Sequence, residues 1–328
     1  MSVAVPFPED LPPGYAWFDD EPAFDPGRHL QLEAPTKTLS LTDLGYADEE
    51  IATKATTFAV SSPFRVLSEE GAAVMLDVAR RLRAHTRRAG DRIERVMRGG
   101  CYRSRWLRDL CVSPDVTEMM STIYATPVAP HSMPLHLGHL NYEPTDFSQA
   151  VDKWHHDTLP LDYVLMVSDP ATLTGGGFEW FRGTKAEMTE LGGKPPADRV
   201  ETPTFPGPGY AIALHGDMVI HRAAGLEEPG ERMTMVNGYV ALDTTVDEQS
   251  RTQDLIEVDD QNVLYAEWAR HVAWRGMGRL HAVIDEVAFG DDPAEVRDRL
   301  VAAIADVNQA IAEMVPEDGP VPTFHYEK

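Results

Sequence analysis

The chain has 328 residues, 43% of them apolar, and sets 29 Lys and Arg against 53 Asp and Glu, a formal net charge of −24. That is enough length and apolar content to bury a core in one large domain or two modest ones, and the acidic balance argues against nucleic-acid and anionic-membrane surfaces, which need clustered cations. Cys101 and Cys111 make no disulfide framework, and there is neither a cationic, apolar leader nor a membrane-length apolar run, so the expectation is a cytoplasmic protein with reduced thiols.

Residues 1–62 are rich in Pro and acidic groups, as in Leu11-Pro12-Pro13-Gly14, with scattered aromatics Tyr15, Trp17, Phe18 and Phe24. They read as an extended arm packed over the body, with a substrate lid as the other role. From residue 63 to 128 a helical lead-in is expected. Ser68-Glu69-Glu70-Gly71 is a helix start, and Ala72, Met75, Leu76, Ala79 and Leu82 recur at helical spacing until Gly90. Ser113-Pro114 is a second start, with Pro in the first turn where its missing N–H costs nothing. The local basic cluster Arg80 to Arg108 reads as solvated arginines on amphipathic helices.

From residue 129 to 246 the texture changes to short strands separated by Pro, Gly and Asp clusters: LHLGHLNY, DYVLMVS, FEWF, YAIAL, MVIH and RMTMVNGYVAL. This spacing favours a mainly β jelly-roll or double-stranded β-helix, cupin-like, over a parallel α/β sheet. Residues 247–328 turn helical again. Asp292-Pro293 opens a helix whose Val296, Leu300, Ala303, Val307, Ile311 and Met314 trace one stripe, which covers its own core or, less directly, a partner. The whole reads as one integrated domain, monomeric or homodimeric.

Chemistry concentrates in Val151 to Ser168 and Ala211 to Ala241. On a strand, His155 and Asp157 project from one face and can hold one ion between them. A second histidine from another strand, His221, completes a facial set of two imidazoles and a carboxylate, which suits a non-haem Fe(II) with positions to spare. About one His-x-Asp pair is expected by chance, and the chain has another, His215-Gly216-Asp217, which looks like a structural turn. After His221 the turn Glu228-Pro229-Gly230 predicts a hairpin that places Arg232 on the strand next to His221. The planar fork of Arg232 suits a distal carboxylate.

His155-x-Asp157, then His221, then Arg232 resembles the Fe(II)/2-oxoglutarate-dependent oxygenases, most closely the phytanoyl-CoA dioxygenase-like branch. The similarity runs loosely over Pro63 to Leu242 and takes in Trp154-His155-His156-Asp157, the turn Gly175-Gly176-Gly177, and PGYAIALHGDMVIH ahead of the arginine. Where that branch commonly has Pro-Gly-Ser-His after the glycine turn, this chain has Phe181-Arg182-Gly183-Thr184-Lys185, a departure that bears on the substrate. The resemblance implies an oxygenase domain over residues 63–246, with Fe(II), 2-oxoglutarate and dioxygen hydroxylating an unactivated C–H bond of a small molecule. Halogenating relatives replace the carboxylate by Gly or Ala, so the presence of Asp157 implies oxygenation.

Around that centre, Arg232, Asn141 and His139 are the expected 2-oxoglutarate residues. His136, Trp180, Arg182 and Arg105 are expected at the substrate, with Arg103 a further candidate. Sheet packing is the plainer reading for Trp154, Tyr163 and Trp180, and surface solvation for the arginines. His156 should point to the opposite face. The alternatives are a cupin-type metalloenzyme without 2-oxoglutarate, which has no use for Arg232, and a non-catalytic barrel binding a small ligand.

Overall fold

The computed structural model describes residues 5–90, 92–147, 149–252, 255–256 and 258–314. Its strands are β1 (Thr38–Ser40), β2 (Phe58–Ser61), β3 (Phe64–Arg65), β4 (Arg87–Ala89), β5 (Ile93–Met97), β6 (Val128–Pro130), β7 (His139–Tyr142), β8 (Ala150–His155), β9 (Leu161–Met166), β10 (Phe178–Phe181), β11 (Val200–Glu201), β12 (Tyr210–Leu214), β13 (His221–Gly225) and β14 (Met233–Ala241). The helices are α1 (Pro26–His29), α2 (Asp48–Ile51), α3 (Glu69–Leu82), α4 (Arg105–Cys111), α5 (Pro114–Tyr124), α6 (Lys185–Glu190), α7 (Gln261–Glu286), α8 (Pro293–Ala303) and α9 (Ala305–Glu313).

Two antiparallel sheets result. The larger runs β1-β2-β12-β9-β14-β7-β5-β4, with β3 on β12 and β6 on β14; the smaller runs β11-β10-β13-β8. From β7 to β14 the chain crosses repeatedly between them, giving inner orders β12-β9-β14-β7 and β11-β10-β13-β8. That is the strand order of a double-stranded β-helix, the jelly-roll expected from the strand spacing.

Alternation along the strands divides the core in two. Leu140, Tyr142, Leu165, Met233 and Met235 face outward onto Met75, Leu82 and Leu107 of the helical layer, while Val164, Met166, Ile212 and Val236 face inward onto Phe178 and Trp180 of the smaller sheet. Each such Leu or Met withdrawn from water contributes roughly 1.5–3 kcal/mol. The Ser68 hydroxyl accepts the Gly71 N–H and caps α3, and a Cβ at Gly71 would stand 2.1 Å from the His29 carbonyl, so only glycine lets the arm cross there.

Several expectations change. The lead-in helix ends at Leu82 rather than Gly90, and β4 and β5, paired antiparallel, extend the large sheet beyond β7. The basic cluster is not simply solvated: Arg81 lies 4.0 Å over Phe18, Arg103 4.6 Å over Tyr15 and Arg105 4.9 Å over Trp17, cation–π contacts that hold the arm down. Met218 to Ile220 are not strand; β13 starts at His221. β13 and β14 belong to different sheets, so the Glu228-Pro229-Gly230 turn crosses the sandwich and Arg232 is not on the strand beside His221. The helix from Asp292 breaks at Ile304 (φ −105°, ψ 8°) into α8 and α9, and its continuation past Met314 lies outside the described residues. Among the described residues no helix is long and apolar enough to cross a membrane.

Candidate metal centre

β8 and β13 are hydrogen-bonded neighbours in the small sheet, in a register that sets His155 against His221, ring centroids 4.3 Å apart. Asp157 lies past the end of β8, where its N–H donates to the Gly216 carbonyl at 2.8 Å. One Asp157 oxygen is 3.4 Å from His155 Nε2 and the other 3.4 Å from His221 Nε2. One ligating atom from each of the three lies within 4.8 Å of the others. His155 Nδ1 is 2.6 Å from the Lys153 carbonyl and His221 Nδ1 3.0 Å from the Val219 carbonyl. A carbonyl only accepts, so each Nδ1 carries a proton and each Nε2 is left facing Asp157. Burial and neighbouring His155 hold His221 down to about 4, so it is neutral near pH 7. Burial alone would raise the Asp157 carboxyl, but His221, His155 and Arg92 outweigh it and keep it ionised. Two buried imidazole Nε2 atoms and one half-buried carboxylate, converging, fit a divalent ion of the first transition row.

Arg232 is 1% exposed. Its Nε donates to the Gly176 carbonyl at 2.6 Å, and its Nη1 has no hydrogen-bond partner among the described residues. Burial lowers it to about 10, against the pull of Asp152 and Glu143, so it stays cationic. A buried guanidinium with an unused donor is costly unless an anion completes it, which fits a carboxylate ligand such as the far end of 2-oxoglutarate.

Two residues at this centre escaped the sequence reading. A register shift between His221 and Ala223 turns Asp152 toward the triad, its carboxylate 3.5 Å from His155 Nε2. Arg92 grips Asp152 with two bonds of 2.6 and 2.8 Å and stands 3.9 Å from Asp157. Gly216 is a third. A Cβ there would stand 2.2 Å from an Asp162 oxygen and 3.2 Å from Asp157 Cβ, so the glycine of the second His-x-Asp pair makes room for the first. His215 and Asp217 themselves bond to the Phe58 carbonyl and to Lys54 and stay apart from the triad.

The large sheet supplies the facing wall. Leu140 and Tyr142 point to the helices, so His139 and Asn141 point between the sheets; Val96 pairs with Asn141, which puts Arg98, two residues on, on the same side. His139 Nδ1, Asn141 Oδ1, Arg98 Nη2 and both ring nitrogens of nearby His136 are buried without a hydrogen-bond partner among the described residues. His139 feels the charges of Arg98 and Asp157 together, and burial takes it down to about 3. Trp180 pairs with His221 across β10 and β13 and is buried beside it. Arg182 and Arg105 are not brought here: both are solvent-exposed, Arg182 near Glu201 at 3.9 Å and Arg105 against Trp17 of the arm. His156 is half-buried on the other side, where desolvation and Lys185 lower it to about 3.

His131, Glu248 and His271 also bring three such atoms within 4.8 Å. There the Met133 N–H donates to His131 Nδ1 at 3.1 Å, so Nε2 keeps its proton and faces Ser250 Oγ at 2.8 Å. His271 bridges Ser132 (2.6 Å) and Glu248 (2.7 Å), and Arg275 stands 3.5 Å from the same carboxylate. The donors are spent within the protein, and the cluster reads as a strut holding α7 to the barrel.

No family model matches the chain, and no curated protein matches it. Among solved structures it is similar to the non-haem α-ketoglutarate-dependent epimerase SnoN from nogalamycin biosynthesis (16% identity, 59% of this chain and 82% of that one, TM-score 0.42). It is also similar to EctD from S. alaskensis with 2-oxoglutarate and 5-hydroxyectoine (15%, 70% and 87%, TM-score 0.40) and to HygX from Streptomyces hygroscopicus with nickel and 2-oxoglutarate (13%, 63% and 90%, TM-score 0.41). Identities and TM-scores of this size leave the chemistry to be read from the site's own side chains.

Proposed function

We propose that the chain is an Fe(II)/2-oxoglutarate-dependent oxygenase of the phytanoyl-CoA dioxygenase-like branch, hydroxylating an unactivated C–H bond of a small molecule in biosynthetic or specialised metabolism. The observation that carries this reading is the pairing of two buried histidines and a half-buried carboxylate with a buried arginine that has a donor to spare. A cupin-type metalloenzyme without 2-oxoglutarate would leave Arg232 unexplained.

Held by His155, Asp157 and His221, a ferrous ion with 2-oxoglutarate and dioxygen supplies the oxidising power for C–H hydroxylation. The protein's work is positional. The Lys153 and Val219 carbonyls fix both imidazoles with Nε2 toward the ion. Arg232 anchors the distal carboxylate of the keto acid, its fork held by Gly176. Phe178 and Trp180 shield the small-sheet side from water.

On the large-sheet side, Arg98 and His136 bind and orient the substrate, and Asn141 and His139 reach the keto acid. Buried polar groups ordinarily have partners, so a wall of unused ones fits a substrate rich in hydroxyl, amide or carboxylate oxygen rather than an acyl chain. The imidazoles there are neutral, and Arg98 is already paired with Asp259 at 2.7 Å, which suits an uncharged or amino-acid-like molecule over a polyanion. The test is release of succinate from 2-oxoglutarate by the Fe(II)-loaded protein under air. Release that needs both Fe(II) and Arg232 supports the reading, and its absence with every polar small molecule offered counts against it.

A further inference from the structure

Among the described residues ten large apolar side chains are exposed, and all but Leu191 lie between Met277 and Ile311, on the hairpin of α7 with α8 and α9. On α7 they are Met277, Leu280 and Ile284, followed by Val287 at its C-cap. Their spacing of three, four and three is the a/d seam of a helix that packs on another helix. Leu264, Trp268 and His271, which bind α7 to the barrel, lie about half a turn round the helix from that seam.

The other half of the hairpin divides the same way. Ala303 and Ala310 are buried and Val307 packs on Gly276, while Leu300, Ile304 and Ile311 face outward. The stripe expected along these helices is therefore split between an inner and an outer face. Met277, Ile284 and Ile311 are 71%, 73% and 62% exposed. Taking roughly 150 Å² for a large apolar residue, the nine residues together leave on the order of 800 Å² of surface in water. The largest patch on a typical monomer is about 300–600 Å², and a stable dimer buries about 800 Å² on each partner.

We propose that this face docks a second copy of the chain, two hairpins closing a four-helix bundle about a two-fold axis. A seam with heptad spacing on a two-helix layer is completed by another two-helix layer, and an identical one makes the contact self-complementary. The apolar contact works against the repulsion of two chains of charge −24 each, so added salt tightens the dimer by screening.

The test is the mass of the full chain by sedimentation equilibrium. The expected value is twice 36.4 kDa, falling to the single-chain mass in the double variant Met277→Glu/Ile284→Glu and, separately, in Val301→Glu on α8. These side chains are exposed in the protomer, so each variant should keep the wild-type far-UV spectrum and bind one divalent metal per chain. A wild-type chain that stays at 36.4 kDa at high concentration and salt overturns the proposal, whether residues 315–328 or nothing covers the face. So does a dimer that survives both variants, because another surface must then hold it.

Discussion

At the residue scale the site is a problem of charge. Asp157 carries one negative charge between two imidazoles, and Asp152, almost as near to His155, is neutralised by Arg92. His221→Ala should abolish metal retention, and Asp157→Ala should abolish oxygenating turnover, both with the wild-type fold; full turnover in either variant would refute the triad. Arg232→Ala removes a charge-assisted contact worth about 1.5–3 kcal/mol, so half-saturation by 2-oxoglutarate should rise on the order of 10- to 100-fold while the metal is retained. An unchanged half-saturation rules out its role. Arg92→Met leaves Asp152 as a buried, unpaired carboxylate and should cost about 3 kcal/mol in denaturant unfolding, whereas Arg80→Met, which breaks an exposed pair with Glu231, should cost under about 1 kcal/mol. The sequence exposes His155 and Asp157 through strand alternation, but Arg92 and Arg98 sit in a run that looks like solvated helix. Nothing local says that they flank a strand, β5, and turn inward.

At the scale of elements, each sheet contributes one kind of group. The small sheet brings His155 and His221 together on paired strands with Asp157 just past the end of β8, the large-sheet side supplies the polar wall, and the glycine turn after β9 holds Arg232. Gly176 has φ +68°, and a Cβ there would stand 2.7 Å from Leu226 and 3.1 Å from Arg232 Cδ. Gly176→Ala should therefore move the arginine and weaken 2-oxoglutarate binding without loss of metal, measurable by titration of the Mn(II)-loaded protein; wild-type affinity would show that the turn does not position Arg232. Turn residues were legible in the sequence, and so was the count of short strands. Which strands pair was not: Glu228-Pro229-Gly230 marks a reversal equally well whether its flanks are neighbours or lie in opposite sheets. The bulge that turns Asp152 inward leaves no mark in the sequence for the same reason, since register is set by the partner strand.

For the whole molecule, α7 is tied to the barrel partly through Glu267, which accepts the Leu135 N–H at 2.9 Å and the Tyr102 hydroxyl at 2.7 Å. Burial raises this carboxyl to about 8. The folded value lies above the unfolded one, so its contribution to stability is complete below the unfolded pKa and is lost as pH rises through 8. Between pH 7 and 9 the chain should lose about 1.4 kcal/mol from this group, and Glu267→Gln should flatten that slope in thermal unfolding; an equal slope in the variant would show that the carboxyl is already ionised. The most direct test of the central claim is metal and keto-acid stoichiometry without oxygen. The wild-type chain should bind one Fe(II) and then one 2-oxoglutarate, with a visible charge-transfer absorption as the keto acid chelates the ion. His155→Ala should bind neither, and a wild-type chain that takes up no Fe(II), or takes it up equally well without His155, would contradict the account.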